Sequence, residues 1–243
     1  MAIPTEAELQ VSRLVRPGMT GGRRIEQILL PGKYAYVPEE NGQYQPVDPT
    51  LLDVTETRRH SIWQPRLVRI EMASWQRYQE LVWAAFLAST ISEITVPVHE
   101  ADDAALGYYN CRLLKPGDVI SLNHRSIITD FVYRDDYFGR YVMDVLGGSL
   151  IEQHAFAHVD TPRDRYSGHL VIGKIDPGDQ ALELTAFAVR PGDSVYIPAG
   201  TIHTNDYLLG TWKTLLSSAC EFPSARVRQP GDKPLRFIVG CNQ

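Results

Sequence analysis

The 243-residue chain lacks the features that mark several large classes of protein. No stretch approaches the roughly 20 consecutive apolar residues of a membrane-spanning helix, so we expect no contact with a membrane. The net charge of −5 leaves no basic excess, which argues against a nucleic-acid partner. The three cysteines form no C-x-x-C motif or paired framework, which favours free thiols in a reducing cytoplasm. The first residues also lack the basic and then apolar pattern of a secretory signal.

The length of the chain and the distribution of its proline, glycine and apolar residues predict one large domain preceded by an arm. Residues 1–60 contain scattered proline and glycine and little periodicity, so we expect an irregular N-terminal arm there. The arm should pack on the main domain or on a second copy of the chain. Within it, short strands are expected at 27–30 and 34–37, on either side of a proline–glycine turn. Residues 61–243 are expected to form a single β-domain.

One segment of the chain has the spacing of a helix. Ser74 stands where an N-cap residue belongs, and apolar residues follow it at intervals of three and four: Trp75, Tyr78, Val82, Ala85 and Phe86. The pattern predicts an amphipathic helix over residues 74–90. We expect this helix to cover an open face of the β-domain.

From residue 93 onward, short apolar segments alternate with turn signals. We expect strands at 94–98, 111–114, 119–122, 127–133, 141–145, 150–158, 169–175, 182–189, 195–197, 212–216 and 236–239, with an earlier one at 64–72. Many short strands at regular spacing indicate a closed barrel or a two-sheet sandwich. The predicted fold class is therefore mainly β.

Residues 190–205 read RPGDSVYIPAGTIHTN and combine a tight turn, a short strand and a second break just before His203. A histidine at such a break lies at a rim or a cavity mouth. The segment resembles the second motif of the cupin family, G-x5-P-x-G-x2-H-x3-N, and four positions are in register: Gly192, Pro198, Gly200 and His203. Tyr207 takes the place of the closing asparagine, and Asn205 comes two residues earlier. The resemblance implies a cupin-type barrel, a double-stranded β-helix.

The first cupin motif, G-x5-H-x-H-x3,4-E-x6-G, is matched in part. The positions in register are Gly148, His154 and Gly168. Phe156 replaces the second histidine, and Thr161 replaces the glutamate. Because side chains two and four apart on a strand share a face, His158 is expected to point inward together with His154. His158 can therefore take the place of the missing ligand.

The resemblance implies one divalent metal ion, bound by His154, His158 and His203. Three imidazoles leave coordination positions open for water or substrate, which is typical of a reactive site. The set resembles that of thiol dioxygenases within the cupin family and favours Fe(II), although Ni(II) or another first-row metal also suits imidazole. A second assignment stays open, in which His158, Asp160 and His203 form a 2-His-1-carboxylate triad and Lys213 holds a 2-oxo acid.

Four further residues are candidates for orienting a substrate. Arg163 and Arg165 lie in the loop after the first motif, where a guanidinium can clamp a carboxylate. Tyr196 and Tyr207 bracket His203 and offer hydroxyls for hydrogen bonding or proton transfer. We therefore expect substrate-binding arginines and catalytic tyrosines around the metal.

These features predict a cupin dioxygenase that oxidises a small polar molecule with O2. By resemblance, a cysteine-like thiol or an amino acid is favoured as the substrate. Alternatives are an Fe(II)/2-oxo-acid oxygenase, a non-redox isomerase, lyase or hydrolase whose metal is a Lewis acid, and a non-catalytic small-molecule-binding cupin. A homodimer is expected because cupins often pair through such arms.

Overall fold

The computed structural model describes residues 11–38, 42–57, 63–79, 82–176, 178, 180–218 and 224–240. Its strands are β1 Met19–Leu29, β2 Gly32–Val37, β3 Gln43–Pro46, β4 Val68–Gln79, β5 Val82–Leu87, β6 Glu93–Glu100, β7 Arg112–Leu113, β8 Val119–Leu122, β9 Ser126–Tyr133, β10 Leu150–Glu152, β11 His158–Pro162, β12 Leu170–Asp176, β13 Ala181–Ala188, β14 Val195–Ile197, β15 Ile202–Thr204, β16 Gly210–Ser217, β17 Ser224–Gln229, β18 Lys233–Pro234 and β19 Arg236–Gly240. Helical segments include the α-helix α1, Asp103–Tyr108, and a π-helix, Phe138–Met143. The predicted mainly-β class is confirmed.

Seven strands close into a barrel in the order β12, β15, β10, β17, β5, β4 and β13, because β13 pairs with β12 as well as with β4. Every strand of this ring contributes to one core of buried side chains, which includes Ile70, Leu87, Ile151, Val171 and Leu184. Since side chains alternate along a strand, the other face of β10, β12 and β15 points away from this core.

A six-stranded sheet, in the order β1, β9, β16, β11, β14 and β7, packs against that outward face of the barrel. A second core lies between them and includes Phe131 and Trp212 from the sheet and Ile172 and Phe187 from the barrel. The other side of the six-stranded sheet is covered by β3, β2 and β8 around a third core. The space between the barrel and the six-stranded sheet contains a cavity lined by His154, His158 and His203.

The predicted helix over residues 74–90 is wrong, because β4 and β5 form an antiparallel hairpin there. Ser74, expected as an N-cap, lies inside β4 opposite Phe86. Ala85 and Leu87, two residues apart, are both buried, which is strand and not helix periodicity. β5 also pairs with β17, so it is held between two strands of the ring. The apolar residues of this short segment fit both helix and strand periodicity. The segment is a strand because it pairs with both β4 and β17 in the closed ring.

The region expected to be an irregular arm contains regular strands. β1 pairs with β9 at the edge of the six-stranded sheet, and β2 pairs with both β3 and β8. The strands expected at 27–30 and 34–37 fall largely within β1 and β2. Residues 19–37 thus form strands that pair with β9 and β8 of the rest of the domain.

Two predicted strands differ from the observed ones. Residues 141–145 lie in the π-helix and the turn that follows it. The strand expected at 150–158 is interrupted, because β10 ends at Glu152 and β11 begins at His158. Residues 153–157 carry the chain from the barrel to the six-stranded sheet, which places the two ends of this segment on facing walls.

Two predictions from composition can be compared with the described residues. Among those residues, no helix has both the length and the hydrophobicity needed to cross a membrane. Cys111 is a buried thiol, whereas Cys220 and Cys241 lie outside the described residues.

Candidate metal centre

His203 lies on β15, in the barrel wall that faces the six-stranded sheet. The pairing of the strands places it beside Glu152 on β10 and Ile172 on β12. The turn before β15 has Gly200 in the left-handed region, at φ 80°, where glycine carries no steric penalty. The amide of Gly200 donates to the carbonyl of His154 at 2.9 Å, so the turn that presents His203 is tied to the segment carrying His154.

His154 and His158 reach the same space from the crossover between the two walls. His158 is the first residue of β11, opposite Ile197 on β14, and so belongs to the six-stranded sheet. His154 lies in the segment that leaves the barrel after Glu152. Because the chain turns between them, residues four apart face each other. The three histidines are between 1% and 5% exposed.

The three rings converge. Their centroids are 4.9 Å apart for His154 and His158, 4.9 Å for His154 and His203, and 4.5 Å for His158 and His203. One ring nitrogen from each lies within 4.8 Å of the others. Nδ1 of His158 is 3.1 Å from Nε2 of His154. Two ligands at about 90°, each about 2.1 Å from one ion, would lie about 3.0 Å apart, so this pair has the spacing of ligands to a shared metal.

Backbone carbonyls fix the tautomers of two of the histidines. Nδ1 of His154 is 2.8 Å from the carbonyl oxygen of Phe156, and Nδ1 of His203 is 3.1 Å from that of Thr201. A carbonyl only accepts, so each Nδ1 carries the proton and donates it. Nε2 of both rings therefore presents a lone pair to the centre. Such carbonyl contacts are the usual supports of metal-binding imidazoles.

Asp160 supports the third histidine. Its carboxylate lies 3.2 Å from Nε2 of His158, at ion-pair distance but without the alignment of a hydrogen bond. The negative charge favours a proton on Nε2, which leaves the Nδ1 lone pair facing His154. The other carboxylate oxygen accepts from the hydroxyl of Thr214 at 2.8 Å. Asp160 is thus anchored behind His158.

This arrangement fits a cation. With the tautomers above, the lone pairs of His154 and His158 face each other across 3.1 Å, which is repulsive unless a positive species lies between them. Burial lowers the pKa of His154 to about 3, and burial also lowers the pKa of His203 well below its usual value. Both rings are therefore neutral at pH 7 and available as ligands. The residues present suit a divalent metal with imidazole ligands.

The histidines line a cavity of about 100 Å³ between the barrel and the six-stranded sheet. Its walls are aromatic and aliphatic, with polar groups among them: Leu14, Arg16, Met19, Phe131, Tyr133, Tyr137, Tyr141, Leu150, Glu152, Phe156, Asp160, Asn205, Asp206, Thr214 and Leu216. Pockets for drug-sized ligands usually measure several hundred Å³, so this cavity suits a molecule of few atoms. Phe156, which stands where the cupin motif has its second histidine, stacks on His154 at 3.9 Å between ring centres.

Two carboxyl groups of the cavity are in an unfavourable environment for charge. Burial raises the pKa of Asp206 to about 7, although its carboxylate accepts from the amide of Leu150 at 2.9 Å. Burial also raises the pKa of Glu152. An oxygen of Glu152 is 3.9 Å from Nε2 of His203, which places this carboxyl beside the histidine cluster.

The second assignment, with Asp160 as ligand and Lys213 on a co-substrate, receives less support. Among the described residues, the side chains grouped closely enough to hold a metal ion are those of His154, His158 and His203. Asp160 contacts Nε2 of His158, on the opposite side of that ring from His154. Lys213 is buried on the opposite face of β16 from Thr214, where its amine is 2.6 Å from the carboxylate of Glu26. Lys213 does not line the cavity.

The structure places the candidate tyrosines away from the cavity. The hydroxyl of Tyr207 donates to the carbonyl of Phe237 at 2.9 Å and lies 2.9 Å from the hydroxyl of Ser149. Tyr196 pairs with Val159 and belongs to the third core, on the other side of the six-stranded sheet. Neither residue lines the cavity of the three histidines.

The candidate arginines also lie outside this cavity. Arg165 is near the ring of Tyr166, with its guanidinium carbon 6.0 Å from the ring centre, and both line a separate surface depression. The backbone amide of Arg163 donates to the carbonyl of Thr211. The only guanidinium that the described residues bring to the histidine cavity is that of Arg16.

The sequence patterns did not predict the tyrosines of the cavity wall, which are Tyr133, Tyr137 and Tyr141. Tyr133 ends β9 with the same inward alternation as Phe131, which strand periodicity can reveal. Tyr137 and Tyr141 are four residues apart, a helical spacing, but we expected a strand at 141–145. Arg16 comes from the region expected to be an arm. Only pairing of β1 with β9 brings that region to the cavity.

Comparisons with protein-family models, with curated proteins and with solved structures found no match for this chain. The mainly-β barrel and the three-histidine cluster are compatible with a cupin-like fold. The functional argument therefore depends on the geometry of the site.

Proposed function

We propose that the protein is a cupin-type, metal-dependent dioxygenase that oxidises a small polar molecule with O2. The observation that carries this proposal is the convergence of three buried imidazoles whose lone pairs face one point in a cavity. His154, His158 and His203 would hold the metal, with Fe(II) as the favoured ion. When bound, the ion supplies a redox centre with coordination positions open to O2 and substrate.

The chain's own residues suit the site to a small substrate and to a reaction with little water present. The carbonyls of Phe156 and Thr201 keep two imidazoles in the tautomer that binds metal. The aromatic wall and the cavity of about 100 Å³ limit both solvent and substrate size. Glu152, beside His203, offers an acceptor for an amine. These features support a cysteine-like thiol or an amino acid as the substrate class.

A non-redox isomerase or lyase is the second candidate, and Glu152 is the observation that favours it. A carboxyl with a raised pKa, 3.9 Å from a ligand histidine, is suited to moving a proton while the metal polarises a carbonyl. The two functions differ in their need for oxygen.

Oxygen uptake by Fe(II)-loaded protein tests the proposal. We would supply L-cysteine, 3-sulfanylpropanoate and 2-aminoethanethiol and follow dissolved O2 together with product mass. The expected product is a sulfinate, since the thiol sulfur gains both atoms of O2 and nothing else is consumed. His203→Ala should abolish uptake, and His99→Ala, outside the cavity, should not. Full-rate turnover of a substrate under anaerobic conditions would favour the isomerase or lyase instead.

A further inference from the structure

The histidine cavity has one end that is less buried than the rest. Tyr133 and Tyr137, which line it, are each 4% exposed, whereas Tyr141 is half-buried. The three rings follow one another along the wall, with centres 5.1 Å apart for the first two and 5.6 Å apart for the last two. The row of tyrosines therefore runs from the interior of the cavity to its mouth, and Tyr141 lies at the mouth.

The segment that leads into β1 borders the same mouth. Three of its residues line the cavity, and all three are half-buried: Leu14, Arg16 and Met19. Nε of Arg16 donates to the hydroxyl of Tyr141 at 3.1 Å. Nη1 of Arg16 donates to the carbonyl of Arg13, an exposed residue, at 2.6 Å. The guanidinium thus reaches from the surface to the π-helix, across the mouth of the cavity.

Both ends of this segment are fixed, and Arg16 lies between them. Val11 is 1% exposed and belongs to the core between the barrel and the six-stranded sheet. The carbonyl of Gly18 accepts from the amide of Arg134 at 2.9 Å, and the backbone of Gly18 packs so closely that an added Cβ would lie 2.4 Å from Cα of Tyr137. A half-buried side chain rotates far more readily than a packed backbone moves. The part of the segment that can open the mouth is therefore the side chain of Arg16.

A carboxyl group inside the cavity also attracts the guanidinium. Glu152 lines the cavity beside His203. Burial raises the pKa of Glu152, and the positive charge of Arg16 is among the influences that oppose this rise. The charge of Arg16 therefore acts on the interior of the cavity as well as on its mouth. This attraction and the hydrogen bond to Tyr141 both favour the position in which Arg16 crosses the mouth.

We propose that Arg16 and Tyr141 form a gate, which has to open before a metal ion or a small molecule enters or leaves the histidine cavity. The gate opens when the hydrogen bond between these two side chains breaks and the guanidinium swings outward. A cavity of about 100 Å³ with buried inner walls needs such an opening for exchange with solvent. The inference goes beyond the proposed function, because it concerns passage into the cavity and not the reaction there.

Metal exchange in gate variants tests the inference. We would load the protein with Zn(II), which has no redox chemistry, and follow both the loading and the removal of the ion by excess coloured chelator. Arg16→Gln and Tyr141→Phe should each raise the loading rate and the release rate by about three- to tenfold, the factor that the loss of one hydrogen bond gives. The ratio of the two rates, which is the affinity, should stay within about twofold of the wild type. Unchanged rates in both variants would overturn the inference.

Effects of charge or of packing give different results from a gate. Loss of a positive charge near a cation site speeds loading but slows release, whereas an opened gate speeds both, and Tyr141→Phe changes no charge. Arg140→Gln is the matched control, because Arg140 belongs to the same π-helix, bonds Asp136 at the surface at 3.2 Å and does not line the cavity. The control should keep both wild-type rates. Equal acceleration in Arg140→Gln would indicate a loosened π-helix and would contradict the gate.

Acylation of the metal-free protein separates this inference from the proposed function. Diethyl pyrocarbonate reacts with an imidazole lone pair, and those of His154 and His203 face the cavity, so the reagent has to enter before it reacts. Peptide mass spectrometry should show faster acylation of these two histidines in Arg16→Gln and Tyr141→Phe, with an unchanged rate at His99 outside the cavity.

The two readouts fail independently. Faster acylation in a protein that binds no metal would support the gate and contradict the dioxygenase. One tightly bound ion per chain, with wild-type exchange and acylation rates in both variants, would contradict the gate alone.

Discussion

Nδ1 of His158 lies 3.1 Å from Nε2 of His154, although the two residues belong to facing walls of the cavity. Carbonyl and carboxylate neighbours favour protons on the outer nitrogens of both rings, so the inner nitrogens present lone pairs to each other. His203 completes the set from the barrel wall. Each of the three rings thus has one nitrogen that contacts a protein oxygen and one that faces the point between the histidines. This arrangement leads to direct tests.

Metal content distinguishes the two ligand sets. We expect about one ion per chain after loading with Fe(II) or Zn(II) and dialysis, and loss of most of it in His154→Ala, His158→Ala and His203→Ala, because each change removes one of three ligands. Mass spectrometry of the purified proteins measures this. His99→Ala is the control, since His99 pairs with Asp102 outside the cavity. Full retention of metal in His154→Ala would favour the triad that omits it.

Replacing Asp160 should weaken the site without abolishing it. Asp160→Asn keeps the shape but removes the charge beside Nε2 of His158, so the preferred tautomer is lost. Supporting groups of this kind typically contribute 10- to 100-fold in metal affinity. Competition with a chelator measures the affinity. Complete loss of metal, as severe as in His203→Ala, would show that Asp160 is itself a ligand.

Lys213 should matter for stability and not for chemistry. Its amine is buried against Glu26, whose side chain is about a quarter exposed, so Lys213→Met should cost about 3 kcal/mol of unfolding free energy, near the lower end for a broken buried pair. Urea unfolding measures this cost. Lys33→Met breaks the more exposed pair with Glu56 and should cost less than about 1 kcal/mol. Loss of activity in folded Lys213→Met would revive the co-substrate role.

The hydroxyl of Tyr207 should be structural. It closes a small network in which the amide of Phe237 donates to the Ser149 hydroxyl and the carbonyl of Phe237 accepts from Tyr207. Tyr207→Phe leaves that carbonyl without its partner, which should cost about 1–3 kcal/mol. Thermal unfolding and steady-state turnover together test this. Unchanged stability with a large drop in turnover would restore Tyr207 as a catalytic residue.

Several strand signals after residue 93 were reliable because each of those segments has one dominant pattern. The expected strands at 119–122 and 195–197 coincide with β8 and β14. The segment around Ala85 failed because its apolar residues satisfy helical spacing as well as alternation. Its pairing with β4 and β17 is a long-range contact that no local pattern contains.

Among the site residues, sequence spacing identified His154, His158 and His203, which the fold brings together. It failed for the groups around them. Tyr196 and Tyr207 are within seven residues of His203 in the chain, but strand alternation and local turns direct them elsewhere. Arg16 and Tyr137 are far away in the chain and enter the cavity through sheet pairing and the π-helix.

The sequence by itself determined the mainly-β class and the identity of the three clustered histidines, because turn residues and residue spacing are local properties that can be recognised in the sequence. Tertiary structure decided which nitrogens face the centre, which carboxylate lies behind His158, and which side chains close the cavity. Those outcomes depend on the break after Glu152, which directs the chain from one wall to the other. The orientation of a ring is set by partners from other strands, and only packing of the two walls brings those partners within reach.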